Sequence, residues 1–215
     1  LKTKNFYTYG INQKSNFFIK NIKQNISFSE FDLQVNVPNK KKLILKKIKI
    51  PLLGIHNIRN SVAATAVALT IGISVKNIKE GLLNFKGVQR RFNKIFTYNK
   101  IDFYDDYAHH PTEIKVVLEG VKRVYNDYDK VCIFQPHRIS RLKDLKKEFS
   151  YSFKDADTVL LCPIFTAGEK IKLGFNYLNF AKEIIKNSNV RLFLISDCFQ
   201  LAKFLKRNMN GKKIV

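Results

Sequence analysis

The spacing of apolar positions changes near residue 88 and divides the chain into two parts. In the first part, short runs of strand-forming residues are separated by polar turns, and residues 31–37 alternate apolar and polar side chains at a period of two. Such alternation is typical of a half-buried strand. With a further strand over residues 42–52, we expect residues 1–50 to form an antiparallel meander.

Two helices are predicted to follow the meander. The first runs from Ile58 to Ile71, is rich in alanine and is ended by Gly72. The second runs from Val75 to Asn84, and Ser74 is its candidate N-cap. This pairing of helices ends the first part of the chain.

From residue 89 onward, predicted strands and helices alternate. Strands are predicted at residues 101–105, 130–134, 158–161 and 190–195, and helices at residues 112–125, 138–153, 177–187 and 198–208. Alternation at this spacing indicates an α/β fold whose parallel strands are joined by right-handed crossovers. We therefore expect two domains, residues 1–88 and 89–215, with a linker over residues 85–92.

The charge balance is strongly basic, with a formal net charge of +22 over 215 residues. A field of this sign suits nucleic acid, an anionic membrane surface or a phosphate-bearing substrate. The lysines are spread along the whole chain, and aromatic residues do not interleave with them in a stacking pattern. A lysine-rich composition at exposed positions explains the charge as well. A non-catalytic basic nucleic-acid-binding domain therefore stays an alternative.

The cysteines and the ends of the chain bear on its compartment and its completeness. Cys132, Cys162 and Cys198 lie in or beside apolar runs without metal-ligand spacing, as expected of reduced core residues in a cytoplasmic protein. No apolar run reaches membrane-spanning length, and there is no signal peptide. The chain begins at Leu1 and ends on a run typical of a strand just starting, so we expect a segment of a longer protein.

The densest group of polar side chains spans Asp105 to Glu113, between a predicted strand and a predicted helix. Two acids, a tyrosine and two histidines fall within six residues there. An open α/β sheet places ligands beyond the carboxyl ends of its strands. Asp105 and Asp106 are therefore candidates for binding ribose hydroxyls or a divalent cation. Pro111 and Thr112 suit the start of the following helix.

A second polar group, Gln135 to Arg141, follows the next predicted strand. Arg138 and Arg141 lie three residues apart at the predicted N-terminus of a helix, where the helix dipole disfavours cations. A carboxylate bound between the two guanidinium groups would explain their position, with the helix amides as further donors.

Two further pairs of residues have both a functional and a structural interpretation. Asn57 and Asn60 share a helical face and an asparagine amide matches the edge of an adenine, but Asn57 would equally serve as an N-cap. Arg90 and Arg91 are either a solvated surface pair or a positive charge for a triphosphate. The chain has no HExxH zinc motif, no nucleophile elbow and no phosphate loop of its own.

Taken together, these motifs resemble the Mur ligases, the ATP-dependent amino-acid ligases of peptidoglycan precursor synthesis. The resemblance rests on five blocks in the family's order: GIHNIRNSVAATAVALTIGI, FKGVQRRF, YDDYAHHPTEI, FQPHRISRL and IFTAGEK. It implies that residues 1–88 are the C-terminal part of a central ATP-binding domain. Residues 89–215 would be a Rossmann-like C-terminal domain, truncated at its end. The phosphate loop and the ligands of Mg²⁺ would precede Leu1.

The resemblance also implies a reaction and its small-molecule partners. ATP would phosphorylate the lactyl carboxylate of UDP-N-acetylmuramate, and the amine of L-alanine would then attack the acyl phosphate and release phosphate. Neither nucleic acid nor a membrane is implied as a partner. A ligase of the same family that recycles murein tripeptide is the alternative within the family. The block FQPHRISR favours the small amino acid, because its paired arginines fit a single carboxylate.

The family's functional residues map onto positions of both domains. His56, Asn57 and Asn60 resemble adenine contacts, Arg91 the linker arginine that meets the phosphates, and Asp106 the ribose ligand. The amino-acid pocket would consist of Tyr107, His109, Arg138 and Arg141. His109 would orient the amine or accept its proton, which is a hypothesis from its position beside the arginine pair. Asp105, His110 and Ala167–Glu169 have no assigned role.

Overall fold

The computed structural model describes residues 6–25, 27–39, 41–169 and 175–215 and divides into two units, Leu1–Gly87 and Val88–Val215. The strands of the first unit are β1 (Tyr9–Gly10), β2 (Phe17–Gln24), β3 (Ser29–Val35) and β4 (Leu43–Ile50), which lie side by side in this order. β2, β3 and β4 are antiparallel, as predicted for the meander. The prediction of an antiparallel meander is wrong for β1. This strand pairs with β2 in parallel, with Tyr9 opposite Phe17.

The core of the first unit follows the predicted alternation of β3. Phe31 and Leu33 are fully buried, and Val35 is 7% exposed. Helices α1 (Ile55–Thr70) and α2 (Val75–Asn84) pack against the sheet, with Ile58 and Val62 of α1 inside the same apolar cluster. Burial of this cluster supplies the main stabilisation of the unit, since apolar area removed from water dominates folding.

The starts of the two helices differ in how well the sequence predicts them. α2 has the predicted bounds, and the hydroxyl of Ser74 accepts the backbone N–H of Asn77 at 3.2 Å. α1 begins three residues earlier than predicted, at Ile55. The reason is Gly54, which takes a φ of 91° as the N-cap and so turns the chain directly into the helix.

The second unit is an α/β fold built on a mixed sheet. Its strands are β5 (Asn93–Tyr98), β6 (Ile101–Asp105), β7 (Asp129–Phe134), β8 (Thr158–Leu161), β9 (Arg191–Leu194) and β10 (Lys213–Ile214), in the order β5-β6-β10-β7-β8-β9. Neighbours pair in parallel except β5, which is antiparallel to β6. The apolar pattern does not predict β5, because this edge strand leaves most of its side chains exposed.

Helices cover both faces of this sheet. They are α3 (Pro111–Val124), α4 (Ile139–Asp144), α5 (Lys146–Ser150), α6 (Tyr177–Ser188) and α7 (Cys198–Asn208). Phe134 of β7 packs in a cluster with residues of α3 to α6, whereas Val131 of the same strand packs in a cluster with residues of α7. The even and odd positions of β7 therefore face opposite layers.

The single helix predicted over residues 138–153 is wrong. It is broken at Leu145, where φ is −117° and ψ is 23°. After the break α5 packs on α6, and Lys146 Nζ lies 2.7 Å from Glu183 Oε1. The break keeps α4 short, so the segment that carries Arg138 and Arg141 ends after six helical residues.

The prediction that all three cysteines are core residues is wrong for Cys198. Cys162 is buried and Cys132 partly buried, but Cys198 is exposed at the first position of α7. An apolar run in a surface helix buries only one of its faces, and Phe199 beside it is 83% exposed. None of the helices in the described ranges is long and apolar enough to cross a membrane.

Candidate functional site

The two polar groups singled out in the sequence meet at the carboxyl ends of β6 and β7. The ring centroids of His109, in the loop after β6, and His137, in the loop after β7, are 6.2 Å apart. Both loops therefore lie at the edge of the sheet where an open α/β fold places its ligands. Arg91, Asp106, Tyr107, Arg138 and Arg141 lie in the same unit, while His56, Asn57 and Asn60 lie on α1 of the first unit.

The start of α3 is held by a capping box. His110 is the N-cap, and its Nδ1 accepts the backbone N–H of Thr112 at 3.3 Å. In return Glu113 Oε2 accepts the backbone N–H groups of His110 at 3.1 Å and of His109 at 3.0 Å. Pro111 occupies the first helical position, as predicted. His110, which has no role in the sequence-based hypothesis, is therefore a structural residue of this turn.

The ring of His109 is fixed by its neighbours. Its Nδ1 lies 2.8 Å from the carbonyl oxygen of Tyr107 and 3.6 Å from Glu113 Oε2. Its ring meets that of Tyr107 edge-on, with the centroids 5.1 Å apart. With Nδ1 donating to the Tyr107 carbonyl, Nε2 is the nitrogen that carries a lone pair for a substrate proton.

Asp106 folds back onto its own loop. Its Oδ1 accepts the backbone N–H of Ala108 at 2.7 Å, which closes an Asx turn. Burial raises the pKa of the Asp106 carboxyl above its ordinary value, although the backbone amides of Ala108 and Phe92 and the charge of Arg91 oppose that rise. Arg91 therefore lies within electrostatic reach of the proposed ribose ligand.

Arg90 and Asp105 connect the start of the second unit to the end of β6. Arg90 Nε lies 3.4 Å from Asp105 Oδ2, and the Arg90 guanidinium carbon lies 5.1 Å from the centre of the Tyr107 ring. The backbone N–H of Tyr107 also donates to the Arg90 carbonyl at 2.8 Å. Asp105 thus has a partner within the chain, while the Arg90 side chain stays 63% exposed.

His137 belongs to the candidate site although the sequence-based hypothesis gives it no role. Its ring lies 5.4 Å from that of Phe165, and its Nδ1 is buried without a hydrogen-bond partner among residues 6–25, 27–39, 41–169 and 175–215. Burial, reinforced by the charges of Arg141 and Arg138, lowers the pKa of His137. The ring is therefore neutral at neutral pH. In the sequence, the feature that could have identified His137 as a site residue is its position directly before Arg138.

Arg138 and Arg141 stand at the start of α4, as predicted. Arg138 is the N-cap, with a φ of 70° and a ψ of 130°, and Arg141 Nη1 donates to the His137 carbonyl at 3.5 Å. A residue other than glycine rarely adopts this backbone conformation, so the surroundings must hold it there. The two guanidinium groups remain close to His137, whose pKa both of them lower.

The amide of Ser140, between these arginines, is not an open donor, so it does not add to anion binding as predicted. The backbone N–H and the hydroxyl of Ser140 donate to Glu169, at 3.0 Å to Oε2 and 2.6 Å to Oε1. The side-chain and backbone hydrogen bonds from Ser140 hold the pKa of Glu169 below its ordinary value. The carboxylate at the start of α4 is thus supplied by the chain itself.

The proposed adenine contacts lie in the first two turns of α1. The alternative in which Asn57 is the N-cap is wrong, because Gly54 occupies that position. Asn57 Nδ2 instead donates to the Leu53 carbonyl at 2.7 Å. A Cβ atom on Gly54 would lie 2.6 Å from His56 Cε1, so only glycine lets the His56 ring pack against this turn. Asn60 is exposed one turn further on.

Family models match both units of the chain. The Mur ligase middle domain matches residues 1–68, and the Mur ligase, glutamate ligase domain matches residues 90–215. UDP-N-acetylmuramate–L-alanine ligase of Pelagibacter ubique is 69% identical over all of this chain and 46% of its own length. The enzyme of the same name from Rickettsia felis is 42% identical over 85% of this chain and 39% of its own length. The chain therefore spans less than half the length of these curated relatives.

Solved structures show the same fold. UDP-N-acetylmuramate-alanine ligase of Thermotoga maritima superposes with a TM-score of 0.71 at 23% identity, over 94% of this chain and 42% of its own. A murein peptide ligase from Psychrobacter arcticus superposes with a TM-score of 0.60 at 24% identity, over 94% of this chain and 40% of its own. With one family match covering more than half of its length, the chain belongs to the Mur ligase family.

Proposed function

We propose that this chain is part of an ATP-dependent ligase that joins L-alanine to the lactyl carboxylate of UDP-N-acetylmuramate in peptidoglycan precursor synthesis. The observation that carries the proposal is the placing of Arg138 and Arg141 beside the His109–His137 pair at the carboxyl edge of the sheet. The relatives that bear this activity in their names support it, because one of them is 69% identical over the whole chain.

The two units correspond to two domains of the proposed ligase. Residues 1–88 would be the C-terminal part of a central ATP-binding domain and residues 89–215 a C-terminal domain that binds the amino acid. Among the described residues, no cluster of histidine, cysteine and acidic side chains could hold a metal ion. By resemblance to the Mur ligases, the Mg²⁺ that accompanies ATP in phosphoryl transfer, where it neutralises developing charge, would be bound by another part of the ligase.

The residues proposed for ATP have suitable chemistry. Asn60 is exposed on α1, and Asn57 offers a side-chain oxygen while its nitrogen is bonded to Leu53. An amide of this kind can accept from an adenine amino group. In the second unit Asp106 is proposed for the ribose hydroxyls and Arg91 for the phosphates, where a guanidinium group stabilises transferring charge.

The amino-acid site would hold its substrate by the carboxylate. Guanidinium groups bind carboxylates with paired, charge-assisted hydrogen bonds. Because Glu169 occupies the amide of Ser140, the proposal assigns this task to Arg138 and Arg141. The zwitterionic substrate would then present its amine toward Tyr107 and His109.

His109 would accept a proton from the amine, with His137 beside it. The ammonium group of the substrate first loses one proton to water and becomes a neutral amine. Attack of that amine on the acyl carbon then forms the C–N bond, breaks the C–O bond to phosphate and leaves one excess proton on the nitrogen. Nε2 of His109 can accept that proton, since Nδ1 is engaged with Tyr107. The neutral ring of His137 lies beside it and keeps positive charge away from an ammonium substrate.

The test uses a composite ligase, in which residues 1–215 replace the matching segment of the Pelagibacter ubique relative. We expect ADP release that requires both UDP-N-acetylmuramate and L-alanine. Murein tripeptide in place of L-alanine should support little turnover. Turnover with the tripeptide but not with L-alanine would favour the recycling ligase. Absence of ligation, together with a gel shift of random DNA at physiological salt, would instead favour the basic binding domain.

A further inference from the structure

The loop before α4 is bonded to a loop that lies far away in the chain. The backbone N–H of Phe165 donates to the Pro136 carbonyl at 2.8 Å, and that of Arg138 donates to the Phe165 carbonyl, also at 2.8 Å. His137 and Phe165 form an isolated parallel bridge. These contacts join the loops that leave β7 and β8, so the site is braced from the neighbouring strand.

Glu169 adds a further contact between these two loops, at Ser140. Ser140 lies between Arg138 and Arg141 in the sequence, and both oxygens of the Glu169 carboxylate accept hydrogen bonds from it. A carboxylate that accepts a backbone N–H and a hydroxyl at a helix start behaves as a non-local cap. The hydrogen bonds from Ser140 keep the pKa of Glu169 low, so the cap is ionised at neutral pH.

We propose that Glu169 is a positioning residue that fixes the two arginines of the amino-acid site by anchoring Ser140 between them. The inference rests on the proposed function, in which Arg138 and Arg141 hold the carboxylate of the substrate. Glu169 itself does not touch that substrate.

The local structure explains why an anchor is needed. α4 has only six helical residues, and a helix of that length does not hold itself together in water. Arg138 also keeps a φ of 70°, which the chain would leave if its surroundings relaxed. Glu169 and the Phe165 bridge oppose this relaxation, in addition to the burial of Ile139 and Leu142 in the core. Loss of the anchor would let the guanidinium groups move relative to one another.

The anchor has a consequence for recognition. Since Glu169 already accepts from the Ser140 amide, a substrate carboxylate gains no hydrogen bond from that amide. Its binding then depends on the spacing of two guanidinium groups, and a displacement of about 1 Å is enough to weaken such a site strongly.

The experiment measures substrate constants of the composite ligase and its variants. Glu169→Ala should raise the KM for L-alanine by roughly tenfold, with the KM values for ATP and UDP-N-acetylmuramate changed less than about twofold. Glu169→Gln keeps an oxygen that can accept from Ser140 and should restore part of the loss. Because Glu169 acts through Ser140, adding Ser140→Ala to Glu169→Ala should cost less than the sum of the single changes.

Asp197 provides the matched control. It is also a carboxylate that caps a helix, accepting from the Gln200 backbone N–H at 2.8 Å and from the Ser196 hydroxyl at 2.6 Å. Asp197→Ala should leave the KM for L-alanine unchanged. An equal rise in both alanine variants would mean a general loss of structure and would overturn the inference.

The remaining outcomes separate the two proposals. An active composite ligase in which Glu169→Ala keeps its KM for L-alanine overturns the positioning role and leaves the proposed function standing. A folded composite ligase that does not use L-alanine overturns the proposed function. If Glu169→Ala fails to fold, Glu169→Gln and Ser140→Ala decide, because an unchanged KM for L-alanine in both of them also overturns the positioning role.

Discussion

The carboxylate of Glu113 lies across the backbone of His109, with Oε2 accepting its N–H at 3.0 Å and lying 3.6 Å from its Nδ1. One acidic side chain thereby fixes both the first turn of α3 and the histidine proposed to serve the amine. The position of the functional residue depends on a helix cap, which links the local stability of α3 to the geometry of the site.

Removal of the cap should loosen α3 at its start. We expect Glu113→Ala to lower the free energy of local opening there by about 1 kcal/mol, because it strips acceptors from two backbone N–H groups. Hydrogen exchange of the first-turn amides of α3 measures this. Glu119→Ala is the control on the same helix, since its exposed pair with Arg123 contributes only about 0.3–0.5 kcal/mol. Equal effects of the two changes would contradict the assignment of the cap.

The same cap predicts a dependence on pH. Burial opposes ionisation of Glu113, but the backbone amides of His109 and His110 outweigh it and hold its pKa below the ordinary value of 4.5. A carboxyl with a lowered pKa in the folded state stabilises fully above its ordinary value, and this contribution is lost as the pH falls through the lowered pKa. Protection of the first turn should therefore be flat above pH 4.5 and decline below it, and Glu113→Ala should remove the decline.

Proton transfer by His109 can be tested against its neighbour. His109→Asn in the composite ligase should lower turnover about 100-fold or more and alter the pH–rate profile, as expected when a general base is lost. His110→Asn is the matched control, because asparagine is a good N-cap and keeps the turn. An unchanged profile and unchanged turnover in His109→Asn would exclude it from proton transfer.

The backbone of Arg138 predicts an unusual order of stability. At a φ of 70° alanine is strained and glycine is not, so Arg138→Gly should be more stable than Arg138→Ala by about 1 kcal/mol. Hydrogen exchange of the Phe165 amide, which is bonded to Pro136, reports this stability. At Lys143, inside α4, the order should reverse, since glycine weakens a helix. Alanine above glycine at both positions would mean that Arg138 is not strained.

Thiol reactivity should separate the cysteines. Burial raises the pKa of Cys132 to about 12 and also raises that of Cys162, while Cys198 is exposed. Because the thiolate is the reactive form, iodoacetamide at pH 8 should label Cys198 and spare the other two. Peptide mass spectrometry measures the labelling, and all three should react in denaturant. Rapid labelling of Cys132 in the folded protein would contradict the packing of β7.

Local patterns in the sequence predicted much of the fold. The bounds of α2, β6, β8 and α7 agree with the predicted ones. β8 is a short continuous apolar run and is buried throughout, whereas α2 buries only Ile78. β5 escaped prediction since it lies at an edge with its side chains exposed. The break at Leu145 was not predicted either, because the helical spacing of apolar residues continues from α4 into α5.

The site was predicted less completely than the fold, because some of its contacts join residues that are far apart in the sequence. Arg138, Arg141 and His109 stand out by residue type near the ends of strands. Glu169 does not, because its contact with Ser140 spans 29 residues and forms only once the sheet has brought the loops together. The pairing of Asp105 with Arg90 is likewise a product of the tertiary fold.

The central claim is that Arg138 and Arg141 recognise the carboxylate of the amino acid, and substrate discrimination tests it most directly. The experiment compares kcat/KM of the composite ligase for L-alanine with kcat/KM for L-alaninamide, which lacks the negative charge. The intact site should prefer L-alanine by about 100-fold or more, and the double variant Arg138→Ala/Arg141→Ala should lose most of that preference while its KM for ATP is unchanged. An undiminished preference in the double variant would contradict the account.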